Sequence, residues 1–376
     1  MSYKILHFAD LHLDTSFAGQ GFPIEYGNER RLDLRATLTR ILAHARELKV
    51  NVVTIGGDLF EQEYLLPETA DFIQQQLALI APIRVIIAPG GKDPYTNESP
   101  YARLNWSKNV EILSRSKLSH LELSPQIHLW GASNPPMRGH KLLDSFHPVK
   151  GINILLLHAL RGNSKNEIHT ITSEAVQIAG FQIALLGGEH AAEITPTEKY
   201  SFVYPGSPEP LSPSEENDLH QVAIIEVDGE NIHIQPLSLQ QWHYSSMDVD
   251  ITDCTSNTEA ARRIDNSLEK EVVKMPHLAT TVRLNGQPHF DVSVSDLHQL
   301  IQATAIFRLD SHFGLSYDLE QMAHEQTVRG LLVQHFLTRI QNATNDTERQ
   351  QQLTALNFAL QALEGKQVSL YETEAN

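Results

Sequence analysis

The chain has 376 residues with 41% hydrophobic and 7% aromatic content, which suits two or three folded units and excludes a disordered polypeptide. No apolar run approaches the roughly 20 residues that span a bilayer, and the single cysteine, Cys254, rules out an internal disulfide. A net charge of −17, from 46 acidic against 29 basic residues, argues against a surface that grips nucleic acid unaided, because phosphate binding runs on Lys and Arg. Any such grip has to come from a bound metal, a local patch or a partner. The first residues enter a strand pattern with no basic, cleavable leader, so a reducing cytoplasm is the expected location.

The first 240 or so residues alternate short β-branched apolar runs with helical spacing. Strands are expected at Lys4–Ala9, Val50–Ile55, Ile83–Ala88, Ile127–Trp130, Ile152–Leu157, Gln182–Leu186, Val222–Val227 and Ile232–Pro236, and helices at Arg31–Leu48 and Pro67–Ile80. Several of these strands are continuously apolar, as strands buried on both faces are. The fold class expected is α/β: a layered β-sandwich flanked by helices, with Gly, Asp and His gathered just past the strand ends. After Trp242 the composition shifts. Asp248–Asp250, a helix at Thr258–Lys274, a strand at Ala279–Leu284, a helix at Asp296–Ala303 and a strand at Ile306–Asp310 suggest a small α+β unit. From about Leu319 the chain turns helical, with a last helix at Thr347–Leu363 stopped by Gly365. The expected division is therefore 1–242, 243–315 as a cap-like unit, and 316–376 as a helical segment. The apolar faces of that segment either pack internally or dock a partner.

The candidate chemistry sits at the strand ends. Asp10 and His12, two residues apart, point to the same side and can ligate one cation. Asp58 follows a second buried strand within Gly56-Gly57-Asp58-Leu59-Phe60, where glycines let backbone approach a bound group closely. A carboxylate there could bridge two cations spaced about 3.5–4 Å apart, the arrangement that clamps the attacking and leaving oxygens of a phosphoryl displacement. His158 ends one strand, and His190 follows another in Gly187-Gly188-Glu189-His190. With 19 histidines in the chain, any one of them is more often structural than a ligand. Five such positions at successive strand ends point to a metal site.

The order Asp-x-His, Gly-Asp, then Gly90-Gly91-Lys92-Asp93, His158 and Gly187-Gly188-Glu189-His190 resembles the signature of calcineurin-like metallophosphoesterases. Phe8-Ala9-Asp10-Leu11-His12, Gly-Asp-Leu-Phe and the late Tyr204-Pro205-Gly206-Ser207-Pro208-Glu209 look like SbcD-type DNA repair exonuclease subunits, nearest to the YhaO-like bacterial group. The resemblance implies a nuclease subunit that works with an SbcC-type, SMC-like ATPase, reaches DNA through that complex, forms a homodimer, stays off membranes and uses Mn²⁺. It also implies a first metal held by Asp10, His12, Asp58 and His190, all present. The second metal would need Asp58 and His158, together with an asparagine where Gly91 stands and a histidine where Gly188 stands. The family's proton-donating histidine falls on Lys92, and a further histidine often found after Gly-Asp-Leu-Phe falls on Glu61. Lys92 either sets its ammonium near the vacated position or points to solvent. The expectation is one intact metal site, a degenerate second one, and hydrolysis weakened or lost. The alternative is a pseudo-nuclease kept as a scaffold or regulator of the ATPase.

Overall fold

The computed structural model describes residues 2–133, 142–144, 146–162, 170–196, 200–272, 277–286, 288, 290, 292–311, 319–343 and 345–363. The chain divides into two compact units, Met1–Met247 with Leu268–Val282 and Ala303–Leu309, and Asp248–Ser267 with Arg283–Gln302 and Asp310–Asn376.

The first unit is built on two six-stranded sheets. One contains β1 (Tyr3–Phe8), β2 (Val52–Ile55), β3 (Arg84–Ile87) and β4 (Val110–Ile112), all parallel, with β13 (Val222–Asp228) antiparallel to β1 and β14 (Asn231–Leu237) beyond it. The other contains β6 (Ile127–Gly131), β7 (Ile152–His158), β10 (Ile183–Gly187) and β12 (Ser201–Tyr204), all parallel, edged by antiparallel β5 (Ser119–Ser124) and β11 (Glu193–Pro196). A short pair, β8 (Leu160–Arg161) with β9 (Thr170–Ile171), follows β7.

Alternation along the strands assigns the layers. Ile5, Val52, Ile86 and Ile225 from one sheet share a core with Leu129, Ile154, Ile183 and Val203 from the other, so these faces form the inside of a sandwich. The next residues, Leu6, Val53 and Ile87, turn outward beneath α1 (Ile24–Glu47) and α2 (Pro67–Leu79). On the far side, Leu155, Leu157, Ala184 and Leu186 pack with Val176 of the helix Ser173–Ala179. That helix starts where the Thr172 hydroxyl accepts the Ala175 N–H at 3.2 Å and stops at Gly180 in the left-handed region. The α/β layered class expected from the sequence is the one observed.

Between the sheets lies His7, fully buried. Its Nε2–H donates to the Leu186 carbonyl at 3.1 Å, and its Nδ1 accepts the Thr54 hydroxyl at 3.1 Å. Burial lowers its pKa from 6.5 to about 4, so it is a neutral tie between the sheets at the level of their carboxyl ends.

A three-stranded sheet is made by β15 (His243–Asp250), β16 (Leu278–Asn285) and β17 (Ile306–Ser311), with helices Asn257–Val272 and Val294–Leu300 in the connections. In the second unit, helices Leu319–Ala323, Val328–Gln341 and Asp346–Leu363 pack around Val333, Leu356 and Leu360. Gly365, expected to stop the last helix, lies outside the described residues. Among those described, no helix is long and apolar enough to cross a membrane.

Candidate metal centre

Past the end of β1, the chain runs beside the chain leaving β2. Asp10 N bonds Gly57 O at 3.0 Å, His12 N bonds Asp58 O at 2.9 Å and Leu13 N bonds Leu59 O at 3.0 Å. Asp10, His12 and Asp14 adopt φ of 54°, 50° and 62°, and Asp58 adopts 50°. Asp and His tolerate this left-handed region better than most residues, yet each such position costs about 1–3 kcal/mol unless the surroundings hold it. Leu11 and Leu13, fully buried in the core beneath α1, provide that hold. The strain sets Asp10 and His12 on one side, where Asp58 meets them.

Three loops converge so closely that only glycine fits between them. A Cβ on Gly57 would lie 2.7 Å from His158 Nδ1 and 2.8 Å from Gly90, and one on Gly90 would lie 2.3 Å from Asp58 Oδ1. Asp93 locks this junction. Its buried carboxylate accepts N–H groups from Asp58 at 3.0 Å, Leu59 at 2.8 Å and Gly90 at 2.6 Å, and the Tyr101 hydroxyl at 2.7 Å. Burial, then the Asp58 charge, pushes its pKa up to about 6. Asp93 shapes the loop while Asp58 faces the site.

The structure brings the residues singled out in the sequence into two overlapping groups. Asp10, His12 and His190 form one, and Asp10, Asp58 and His158 the other; within each group, potential ligand atoms lie within 4.8 Å of one another. Asp58 Oδ2 stands between them, 3.8 Å from His12 Nε2 and 3.5 Å from His158 Nε2. The Asp10 carboxylate accepts the Gly188 N–H with both oxygens, at 3.0 and 2.9 Å. Burial raises its pKa against the opposing pull of His158 and His12. For His158, burial works downward, but Asp58, Asp10, Asp93 and the Gly56 carbonyl outweigh it and the pKa is raised. His158 Nδ1–H donates to Gly56 O at 2.9 Å, leaving Nε2 toward Asp58.

Two glutamates act on the histidines. Glu61 Oε1 accepts His12 Nδ1–H at 2.7 Å, and Glu215 Oε1 accepts His190 Nδ1–H at 3.0 Å. Glu215 also accepts the Leu211 N–H at 2.9 Å through Oε2. His190 has a raised pKa: burial opposes it, and the Glu215 hydrogen bond and charge prevail.

The positions where ligands were expected to be missing are now placed. A Cβ on Gly91 would meet nothing within 4 Å, whereas Gly188 sits at φ +109° against Ala159 and His158. Lys92 donates its backbone N–H to Asp58 Oδ1 at 2.7 Å, but its side chain is 59% exposed and its Nζ lies 3.9 Å from Glu61 Oε2.

No family model matches the chain, and no curated protein does. Solved structures similar to it include a conserved protein of Streptococcus pneumoniae TIGR4 described as a predicted phosphoesterase (14% identity, 63% of this chain and 90% of that one, TM-score 0.31). Purple acid phosphatase PPD1 of yellow lupin seeds is another (11% identity, 63% and 52%, TM-score 0.39). A third is GAP50, the anchor in the inner membrane complex of Plasmodium (9% identity, 63% and 84%, TM-score 0.39).

The donor set fits a divalent ion on its own geometry. With both Nδ1 protons committed to glutamates, the His12 and His190 Nε2 lone pairs face each other at 3.2 Å. That approach needs a cation or a shared proton between them. Two nitrogens about 2.1 Å from a common ion and roughly 100° apart are about 3.2 Å from each other. Asp10, which groups with both histidines, completes a mixed nitrogen–oxygen set of the kind that holds borderline divalent metals, and Asp58 Oδ2 lies 3.8 Å from His12 Nε2.

Proposed function

We propose that the chain is a metal-dependent phosphoesterase of the calcineurin-like class, related to SbcD-type nuclease subunits, with one divalent ion held by Asp10, His12, His190 and Asp58. The observation that carries this reading is the pair of imidazole Nε2 atoms 3.2 Å apart beside two buried carboxylates. When bound, such an ion polarises a phosphoryl oxygen and acidifies a ligated water. The chain's own residues fix the geometry around it. Asp93 holds the 58–59 and 90 backbone, Gly188 N–H orients Asp10, and Gly57 and Gly90 clear the floor of the site. His158 and Asp58 are left as the remnant of a second position, with Gly91 and Gly188 offering no ligand. Mn²⁺ is the ion the resemblance favours.

The substrate reading is a phosphodiester of DNA. Tyr64 stands exposed in the turn that carries Glu61, and Lys92 Nζ lies 3.9 Å from Glu61 Oε2; an aromatic ring can stack a base and an ammonium can meet a phosphate. The net charge of −17 supports a partner that supplies the basic surface. Val328 and Leu331 are exposed on the helix Val328–Gln341, which suits docking to an SMC-like ATPase in a cytoplasmic, homodimeric complex.

A second reading, a scaffold that has lost hydrolysis, is favoured by Lys92. Its ammonium is drawn to Glu61 and solvent, so the loop presents no histidine to protonate a leaving oxygen. One experiment separates the readings: count Mn²⁺ per chain and assay cleavage of single- and double-stranded DNA ends beside Asp58→Ala, with and without the ATPase partner. One ion with Asp58-dependent cleavage supports the enzyme. One ion and no cleavage supports the scaffold. Two ions overturn the single-site assignment, and none overturns the enzyme reading and leaves a metal-free scaffold.

A further inference from the structure

The site's least expected residue is Glu61. It stands where the resemblance puts a histidine, directly after Gly57-Asp58-Leu59-Phe60, and the chain departs from the pattern again at Lys92. The two departures meet in space. Glu61 is 9% exposed; its Oε1 takes the His12 Nδ1 proton at 2.7 Å, and its Oε2 lies 3.9 Å from Lys92 Nζ. Both backbone segments are tied as well, since Glu61 N bonds Leu13 O at 2.9 Å and Gln62 N bonds Lys92 O at 3.0 Å. A buried carboxylate with one imidazole and one ammonium against it is balanced in charge, which is why it can sit there at all.

Glu215 makes the same contact on the opposite wall, to His190 Nδ1 at 3.0 Å. The two histidines come from separate strand ends and the two glutamates from separate loops, yet both rings present Nε2 inward. Left alone, an imidazole carries its proton on either nitrogen, and a ring with the proton on Nε2 cannot ligate through it. A carboxylate on Nδ1 removes that choice and raises the basicity of the free nitrogen.

We propose that Glu61 and Glu215 are positioning residues that lock His12 and His190 in the Nδ1–H tautomer, and that the Glu61–Lys92 pair, at two positions where the resemblance puts histidines, supports the one strong metal position. Lys92 then acts as the countercharge of Glu61, not as a proton donor. This rests on the single-ion reading above, and the test below separates the two.

The test uses the full-length protein in wild-type, Glu61→Leu, Glu61→Gln, Glu215→Gln and Lys92→Ala forms. Long-range ¹H–¹⁵N correlation spectra of the metal-free proteins report which ring nitrogen carries the proton, and Co²⁺ titration reports affinity and absorption spectrum. Thermal unfolding of the metal-free forms shows which variants fold. Wild type should show both rings protonated on Nδ1. Glu61→Leu should lose that state for His12 and weaken Co²⁺ by about 10–100-fold. Glu61→Gln and Glu215→Gln, whose amide oxygens still accept, should lose less, and Lys92→Ala less again. A Glu61→Leu protein that folds, keeps the His12 tautomer and binds Co²⁺ within about twofold of wild type would overturn the positioning role, as would a wild-type ring protonated on Nε2 and not on Nδ1. Failure of wild type to bind Co²⁺ with both tautomers as expected would overturn the metal reading and leave the tautomer lock standing. If Glu61→Leu does not fold, Glu61→Gln decides: affinity and His12 line positions both unchanged from wild type overturn the proposal.

Discussion

His7 gives a stability test that does not pass through the metal site. Its pKa is about 4 in the folded protein against 6.5 for a free imidazole, because both ring nitrogens are hydrogen-bonded in a dry slot between the sheets. The unfolded chain therefore takes up the proton first. The contribution is fully present above pH 6.5 and is lost as pH falls toward 4. Worked through the linkage relation, the loss is about 2 kcal/mol between about pH 7.5 and about pH 5, and about 3 kcal/mol by about pH 4. His7→Gln keeps a side-chain N–H for the Leu186 carbonyl but has no proton to gain. Urea unfolding of both proteins with EDTA present, at about pH 7.5 and about pH 5, isolates the term, because every other titrating group is common to both. Wild type should lose about 2 kcal/mol more than His7→Gln over that interval. Parallel losses would mean that His7 is solvated or charged in the fold, and the account of the inter-sheet tie would fail.

The remaining predictions concern the loops and the base of α1. Gly90→Ala drives a methyl to 2.3 Å from Asp58 Oδ1 and should weaken Mn²⁺ by at least about tenfold. Gly91→Ala, with nothing within 4 Å, should bind normally in the same calorimetric titration, and equal behaviour of the two variants would refute the packing argument. Gly91→Asn should be accommodated without loss of stability. By contrast, Gly188→His must hold φ +109° and should cost about 1–3 kcal/mol in urea unfolding, so restoring both ligands is not a symmetric repair. Glu209→Ala removes the acceptor of Arg40 at 2.9 Å and of the Gln241 and Trp242 N–H groups, and it strips charge from beside the fully buried Arg30. Asp33 stays 3.4 Å from Arg30 as its countercharge, so a loss of about 1–3 kcal/mol from the stranded buried donors is expected in urea unfolding, and no loss would refute the role of Glu209.

What the sequence disclosed and what it hid follow from how far each interaction reaches. Ile152–Leu157 is apolar at every position but Asn153, so its burial on both faces is written locally, and the strand at Ile152–His158 lies where expected. The edge strand Ser119–Ser124 has only Leu121 and Leu123 to contribute, both half-buried, and a pattern that thin does not stand out from a loop. α1 begins at Ile24, seven residues before the expected Arg31, because Tyr26 drops into a cluster with Phe17, Phe22 and Trp242. Gly27 and Asn28 are poor helix formers on their own, so only that tertiary cluster starts the helix there. The same division runs through the site. Asp10, His12, Asp58, His158 and His190 were visible because strand ends with glycines are where such sheets gather ligands, a rule that needs only the neighbouring residues. The carboxylates that orient them were not, because Glu61 reaches His12 across 49 positions and Glu215 reaches His190 across 25. Glu61 in particular read as a lost histidine. Its contacts with His12 at 2.7 Å and with Lys92 at 3.9 Å exist only once the fold brings residues 12, 61 and 92 together, so counting absent ligands along the chain says nothing of what supports those that are present.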